Sequence, residues 1–177
     1  MKKNPRSSIL MAVDPSLSAT GISVFTGGKL TATHLIKPSG ENKICQIAFQ
    51  ALDLLERYRP DALAIETQYL SGFGGNSVIK VIEAKGAIEG AYASYARASK
   101  RSPLIFNVQP NQAKKHVGVI GTHKRKESKE LVAGLVKAMY PELADSKSQD
   151  IFDAVAIGLF AWQQFACMLL AEELSTE

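Results

Sequence analysis

The sequence has few cysteines and no metal-binding pattern of cysteine and histidine. Cys45 and Cys167 lie far apart, with no CxxC motif and no nearby pair among the three histidines. This argues against a zinc finger or a disulfide framework. At 177 residues and 46% hydrophobic composition, the chain can bury a core without cross-links and is too short for a barrel of about 250 residues. We expect one domain spanning residues 1–177.

Long hydrophobic runs are also scarce. After the basic start MKKNPRSS, the apolar stretch 9–13 ends at Asp14 and is shorter than the core of a secretory signal, so no export is expected. The most hydrophobic span, residues 151–170, contains Asp153, Gln163 and Gln164. A membrane-spanning segment rarely carries such residues. We interpret this span as a core helix and expect no membrane association.

Positive charge is concentrated in one segment. The net charge is +4, but between Lys100 and Lys129 eight basic residues stand against the single acid Glu127. This segment therefore carries +7 and the rest of the chain −3. A basic stripe on a slightly acidic body is typical of proteins that bind a phosphate backbone, although a solvated surface face has the same composition.

Motifs of several enzyme classes are missing. The sequence contains no GxSxG, HExxH, GxxxxGK[ST] or GxGxxG, and the GFGG string at 72–75 lacks the lysine and Ser/Thr of a phosphate loop. This argues against hydrolases of the nucleophile-elbow type, zinc proteases, P-loop NTPases and dinucleotide-binding enzymes. His34, His116 and His123 are scattered and are interpreted as surface or DNA-facing side chains.

The first third of the chain predicts an antiparallel meander of three strands. Its strings are SILMAVD, GISVFTG and KLTATHLIK, and Gly27 and Gly28 supply the positive φ of a tight hairpin. From Asn42 apolar residues recur at three- and four-residue spacing until Pro60, which predicts a helix. The apolar face is Ile44, Ile47, Ala48, Ala51, Leu52, Leu55 and Tyr58.

The rest of the chain alternates strands and helices. We predict a strand at ALAIE, a helix through residues 78–95 and a strand at PLIFNV. Pro110 opens a short helix, Thr122 or His123 begins another that runs to residue 140, and Ser146 or Ser148 caps the last. The order predicts an α/β fold with a five-stranded mixed sheet, three antiparallel strands followed by parallel ones, flanked by helices.

Four acidic residues stand apart from those on polar helix faces. Asp14 ends the apolar run ILMAV and Glu66 ends ALAI, so both are predicted at the edge where open α/β sheets place ligands. Asp150 and Asp153 are three residues apart, hence on one side of the last helix, and continue its apolar stripe. The alternative is that two of these acids have structural roles. Asp14 would then begin a turn with Pro15, and Asp150 would interact favourably with the dipole at the N-terminus of the helix.

These carboxylates predict a divalent metal centre. Neighbouring carboxylates repel one another unless a cation lies between them, and a buried isolated charge is costly. Four carboxylates supply hard oxygen ligands for two Mg²⁺ ions about 3.5–4 Å apart, with Mn²⁺ as a substitute. Such a pair of ions can polarise a phosphodiester and activate water.

Three strings that carry these acids resemble a known family. AVDPSLSATG at 12–21, AIET at 64–67 and DIFDAVAIGLFA at 150–161 are similar to the acidic motifs of RuvC-type Holliday-junction resolvases, which belong to the RNase H-like nucleases. In that family a DPG-like turn, an IEQ-like strand end and a DAxDALAIA-like helix supply the metal-binding carboxylates. The matching residues here are Asp14, Glu66, Asp150 and Asp153. The resemblance spans nearly the whole chain and implies an RNase H-like fold.

Two more segments match this family. In the family, an aromatic and polar loop follows the glutamate and leads into a helix of the form NxxSxxKxxxARG. This chain has TQYLSGFGGNSVIKVIEAKG at the corresponding residues 67–86. The resemblance implies that Tyr69 or Phe73 stacks on or wedges bases at the junction centre.

The second segment is a KxxVxGxG stretch, matched by AKKHVGVIGTHKRKESK at 113–129. It implies that Lys114 or Lys115 stabilises charge on the scissile phosphate. By the same resemblance, Lys124, Arg125 and Lys126 hold backbone phosphates.

The sequence departs from the family pattern at two points. Ser16 replaces the glycine after Pro15, and the aromatic loop is about one residue longer. The family acts as a homodimer, since a four-way junction needs two symmetric cuts. The helix from Val78 to Tyr95 is the natural dimer face, although its apolar residues could equally be core.

The residues and the resemblance together predict a Mg²⁺-dependent, structure-selective DNA endonuclease that resolves four-way junctions by paired symmetric nicks. The expected products carry 5′-phosphate and 3′-hydroxyl ends. The alternatives are a broader flap and fork endonuclease, as in a phage or mobile-element member, a non-cleaving junction-binding protein, and an actin-like or sugar-kinase ATPase, for which the chain is too short. We expect a cytoplasmic protein of a bacterial or phage-infected cell, or one of an organelle or nucleoid, and leave any branch-migration partner open.

Overall fold

The computed structural model describes residues 4–67, 75–121 and 123–175, without the side chains of residues 75–77. The strands within these ranges are β1 (Ile9–Asp14), β2 (Thr20–Thr26), β3 (Lys29–Ile36), β4 (Ala62–Glu66) and β5 (Ile105–Val108). The α-helices are α1 (Lys43–Tyr58), α2 (Gly75–Ala98), α3 (Pro110–His116), α4 (Arg125–Met139) and α5 (Gln149–Leu174).

The strands form one mixed sheet in the order β3-β2-β1-β4-β5. The meander β1-β2-β3 is antiparallel, whereas β4 pairs parallel with β1 and β5 pairs parallel with β4. The predicted fold class is therefore confirmed.

Helices cover both faces of the sheet, and alternation along the strands decides which residues meet which layer. In β1, Leu10 and Ala12 pack in the cluster with α3, α4 and α5, whereas Met11 and Val13 pack with α1 and α2. The even-numbered residues of β4 also face α5 and its odd-numbered residues face α1 and α2. This period of two is the expected consequence of the strand pleat.

The β2–β3 hairpin and the end of α1 are as predicted. Gly27 and Gly28 form the hairpin turn with φ of 58° and 83°, a region that glycine adopts without steric cost. Helix α1 ends at Tyr58, and its C-cap, Arg59, adopts the left-handed conformation directly before Pro60. Its predicted apolar face is only partly correct, because Ile44 is 38% exposed.

The predicted start of α4 is wrong. Thr122 lies outside the described residues, and His123 precedes the helix, which begins at Arg125 with Lys124 at the N-cap. The His123 ring instead bonds the carbonyl of Ile120 at 2.9 Å and lies 3.2 Å from the Glu127 carboxylate. These contacts hold His123 in the turn before the helix.

Helix α5 is the central helix of its layer. By length and composition alone it could cross a membrane, but here it packs on β1, β2 and β4. Its buried side chains include Phe152, Val155, Ile157 and Phe165. Ser148 occupies its N-cap, so of the two predicted caps the position of Ser148 is correct, although its side chain makes no capping hydrogen bond.

Candidate active site

Asp14 and Glu66 lie side by side at the carboxyl edge of the sheet. The parallel ladder pairs Ala12 with Ala64 and Val13 with Ile65, so Asp14 and Glu66 are the next residues in register. Neighbouring strands lie about 4.8 Å apart. Both residues are even-numbered, so alternation directs both carboxylates to the face that α5 covers.

Asp150 and Asp153 lie in the first turns of α5. The backbone of Asp150 lies directly against Gly21, and Gly21 pairs with Asp14 across the β1–β2 ladder. This contact brings the N-terminus of α5 beside the carboxyl end of β1. Gln149 donates a hydrogen bond of 2.9 Å to Asp153 and so orients that carboxylate.

The carboxylates act electrostatically on one another. Burial raises the pKa of Asp14 well above its ordinary value of 3.8, and the charges of Glu66, Asp153 and Asp150 raise it further. Burial and the charge of Asp153 raise the pKa of Glu66 to about 7. Burial also raises the pKa of Asp153, with a contribution from Asp150. Repulsion of this kind acts between neighbouring charges, so the four predicted carboxylates lie in one region of the structure.

Two lysines oppose this repulsion. The ammonium of Lys129 lowers the pKa of Asp14, Glu66 and Asp153, and that of Lys114 lowers the pKa of Glu66 and Asp153. Both cations therefore lie near the carboxylates and stabilise their ionised forms.

Lys129 was missed by the sequence analysis, which counted it only as part of the basic run. A signal was present: Lys129 stands three and seven residues before Val132 and Val136, which are both buried. Residues at this spacing share one face of a helix. The face of α4 that packs on α5 therefore continues to Lys129.

The structure also distinguishes the two adjacent lysines of α3. Ala113 and Val117 are buried, so α3 turns this side towards the core. Lys114 is half-buried and acts on the carboxylates, whereas Lys115 is exposed. Of these two adjacent lysines, Lys114 is therefore the one that lies near the carboxylates.

The donor set suits a hard divalent cation, because it consists of carboxylate oxygens. Within the described ranges, no three acidic, histidine or cysteine side chains already surround one point as ligands would. The electrostatic coupling nevertheless places all four acids in one region. The β1–β4 register and the contact of Asp150 with Gly21 fix the backbone positions of these residues at one edge of the sheet. Their role as metal ligands stays a prediction.

A basic groove shares Lys114 with the carboxylate region. It lies between α3 and α4, has a volume of about 410 Å³, and its polar lining includes Asn111, Lys114, Lys115, His123 and Arg125. Next to it, Lys124 and Lys126 are exposed, and Lys126 lies 3.9 Å from Glu130. Exposed ion pairs of this length contribute little, so both lysines are available to an anionic ligand.

Two further predictions concern α2 and the loop before it. Tyr69 and Phe73 lie outside the described residues, so their predicted role is not tested here. The predicted dimer helix divides into two parts. Its later residues Ala84, Ile88, Tyr92 and Tyr95 are buried in the core. Earlier along α2, Ile79 and Ile82 are 53% and 42% exposed.

Ser16 has a local explanation. Its backbone N–H donates to the Thr20 hydroxyl at 3.1 Å, and that hydroxyl donates to the Ser16 carbonyl at 2.8 Å. The positive-φ residues of the described chain do not include Ser16. A glycine is therefore not required after Pro15.

Comparison with known proteins agrees with this geometry. The family model of the crossover junction endodeoxyribonuclease RuvC matches residues 10–160. The chain belongs to the RuvC family. Curated relatives include the crossover junction endodeoxyribonuclease RuvC of Helicobacter acinonychis, 30% identical over 152 residues that cover 84% of this chain and 86% of the relative. That of Chloroherpeton thalassium is 28% identical over 172 residues, covering 93% and 87%. The resemblance stated from the motifs is confirmed.

Solved structures support the fold. RuvC of Thermus thermophilus in complex with a Holliday junction substrate has a TM-score of 0.69 at 23% identity, covering 89% of this chain and 95% of that one. The yeast mitochondrial Holliday junction resolvase Ydc2 has a TM-score of 0.56 at 15% identity, covering 93% and 82%. At these identities the likeness concerns the fold, and it confirms the RNase H-like architecture.

Proposed function

We propose that the chain resolves DNA four-way junctions by Mg²⁺-dependent, paired and symmetric nicks that leave 5′-phosphate and 3′-hydroxyl ends. The observation that carries this proposal is the convergence of four carboxylates and two lysines at the sheet edge, next to a basic groove. Membership of the RuvC family supports the substrate class, as does the likeness to a resolvase that holds a Holliday junction substrate.

Asp14, Glu66, Asp150 and Asp153 would hold two Mg²⁺ or Mn²⁺ ions. Divalent ions, when bound, polarise the phosphodiester and make water a stronger nucleophile. The carboxylates are desolvated and repel one another, so they gain most from a cation and bind it best once ionised. Acidic conditions should therefore weaken metal binding.

The cations of this chain would place the DNA. Lys114 lines the groove and its charge acts on Glu66, which supports the proposal that it would stabilise negative charge on the scissile phosphate. The exposed Lys124, Arg125 and Lys126 would hold phosphates of the neighbouring backbone. Tyr69 or Phe73 would stack at the junction centre.

Two copies would present two equivalent sites to a four-way junction. Ile79 and Ile82 are the described apolar residues that α2 leaves exposed in its first half, and we assign this surface to the partner copy. Ile82→Glu should convert a dimer to monomers in analytical ultracentrifugation. The control is Met139→Glu, which alters a 45% exposed residue on α4, across the sheet, and should leave the dimer intact. Dimers of Ile82→Glu as tight as wild type would contradict the assignment.

Cleavage of a synthetic four-way junction labelled on each strand tests the activity. With Mg²⁺ the protein should nick two opposing strands at symmetry-related positions, and DNA ligase should reseal the products, because ligation needs both predicted ends. EDTA should abolish nicking. Asp14→Asn should bind the junction without cutting it, whereas Asp145→Asn, at an exposed position in the loop before α5, should cut normally.

The same assay separates the alternatives. Cleavage of flaps or forks at the rate seen with four-way junctions would indicate a broader branched-DNA endonuclease. Junction binding by wild type without Mg²⁺-dependent nicking would indicate a binding protein. Normal cutting by Asp14→Asn would refute the assignment of the site.

A further inference from the structure

Helix α5 lies along β2 in a matched register. Asp150, Ala154 and Gly158, at four-residue steps, meet Gly21, Ser23 and Phe25, at two-residue steps. Four helical residues rise about 6.0 Å and two strand residues about 6.6 Å. Because these two spacings are nearly equal, the helix and the strand keep the same register over three consecutive contacts.

Each of the first two contacts depends on one residue of β2. A Cβ at Gly21 would overlap the carbonyl oxygen of Asp150, so only glycine permits this approach. Ser23 is fully buried, and its hydroxyl donates a hydrogen bond of 2.8 Å to the carbonyl of Ala154. A buried hydroxyl without that acceptor would be costly. Both contacts therefore fix α5 along β2.

These contacts lie one strand away from Asp14 and two strands away from Glu66. Gly21 pairs with Asp14, and Ser23 pairs with Ala12. The helical turn that meets Gly21 and Ser23 also carries Asp150 and Asp153. A slip of one helical turn would move these two acids by about 5.4 Å, well beyond the metal–oxygen distance of about 2.1 Å that Mg²⁺ requires.

We propose that Gly21 and Ser23 are positioning residues, which set the distance between the carboxylates of α5 and those of β1 and β4 through the register of α5 on β2. The inference rests on the proposed function, because the acids are treated as metal ligands. It assigns a role in metal binding to two residues that carry no metal-binding group.

The test compares Gly21→Ala and Ser23→Ala with Gly158→Ala. The control alters the same helix and sheet interface, since a Cβ at Gly158 would overlap the Phe25 ring, but it lies two helical turns beyond Asp150. Mn²⁺ binding is measured without DNA, by the electron paramagnetic resonance signal of free Mn²⁺. Thermal unfolding is followed by the fluorescence of Trp162, which lies on α5.

Gly21→Ala should weaken Mn²⁺ binding about tenfold or more, the loss typical when support of metal ligands is removed. Ser23→Ala adds no bulk and should fold, with a loss of about fivefold, in line with one hydrogen bond. Gly158→Ala should lower the melting temperature but keep Mn²⁺ affinity within about twofold. Junction binding in EDTA should be unchanged in all three variants.

The outcomes separate this inference from the proposed function. If wild type binds Mn²⁺ and both Gly21→Ala and Ser23→Ala bind it equally well, the positioning role is wrong and the metal centre stands. If Gly158→Ala weakens binding as much as Gly21→Ala, general loosening of α5 explains the effect and the inference fails. If wild type itself binds no Mn²⁺, the metal centre fails and the inference with it. If Gly21→Ala does not fold, the Mn²⁺ affinity of Ser23→Ala alone tests the inference, and an affinity equal to that of wild type refutes it.

Discussion

Replacing Glu66 by Gln should stabilise the metal-free protein while abolishing cleavage. Glu66 has a pKa of about 7 against an ordinary value of 4.5, because it is buried and because Asp153 repels it. The folded state therefore binds the proton more tightly than the unfolded state does. By linkage, Glu66 costs no stability below about pH 4.5 and costs progressively more as the pH rises to 7 and above.

The magnitude follows from the two pKa values. One pKa unit corresponds to about 1.4 kcal/mol, so the ionised carboxylate of Glu66 should reduce the free energy of unfolding by up to about 3 kcal/mol at pH 8. Glutamine has nearly the same shape and no charge. Glu66→Gln should recover most of this free energy at pH 8 and almost none at pH 4.5, where wild type is already protonated.

Urea unfolding in EDTA measures the difference. Trp162 serves as the reporter, because its ring packs against that of Phe165 at 5.6 Å within α5, and the midpoint shift at constant m-value gives the change in stability. Added Mg²⁺ should stabilise wild type at pH 8 more than Glu66→Gln, since binding to the folded state adds stability. A Glu66→Gln variant no more stable than wild type at pH 8, or equally stabilised at pH 4.5, would refute the reasoning.

Three further substitutions test other parts of the structure. Lys129→Gln should lower stability at pH 8 in EDTA by about 1 kcal/mol, because three carboxylates lose a nearby cation; urea unfolding should show no such loss for Lys124→Gln at the exposed N-cap of α4. Asp61→Ala should lower stability by about 2 kcal/mol, because its carboxylate accepts hydrogen bonds from a backbone amide of β1 at 3.0 Å and from Arg101 at 3.1 Å; Mn²⁺ binding by the folded protein should stay unchanged. Gly134→Ala should raise stability by up to about 1 kcal/mol in thermal unfolding, since open space surrounds this helical glycine; a lower melting temperature would contradict this.

The strand-borne half of the site could be predicted from the sequence because it depends on local rules. Asp14 and Glu66 each end a short apolar run, and the carboxyl ends of parallel strands share one edge of a sheet. The pleat then directs both side chains to one face, since each stands two residues after a core alanine, Ala12 or Ala64. Apolar spacing likewise placed Asp150 and Asp153 on the inner side of α5.

The rest depends on contacts between distant segments. Lys114 and Lys115 are equivalent in the sequence, and only the packing of α3 turns one towards the carboxylates. Lys129 gains its role from the docking of α4 on α5. The start of α4 was misplaced because Lys124 occupies its N-cap without a side-chain hydrogen bond, so the usual Ser, Thr, Asp or Asn signal is missing there.

Small side chains on one face of the sheet explain how the acids of α5 can approach those of β1 and β4. The α5 face carries Ala12, Ala62 and Ala64, and Gly158 of the helix packs against Ala12 and Phe25. Such residues let the helix axis approach the sheet closely, as glycine does at Gly21. A larger side chain at Ala64, which lies two residues before Glu66 on the face that α5 covers, would lift the first turns of α5, and with them Asp150 and Asp153, away from Asp14 and Glu66. Close packing under the N-terminal end of α5 and the geometry of the carboxylates are therefore one structural feature, so enlarging Ala64 should weaken Mn²⁺ binding although alanine carries no metal-binding group.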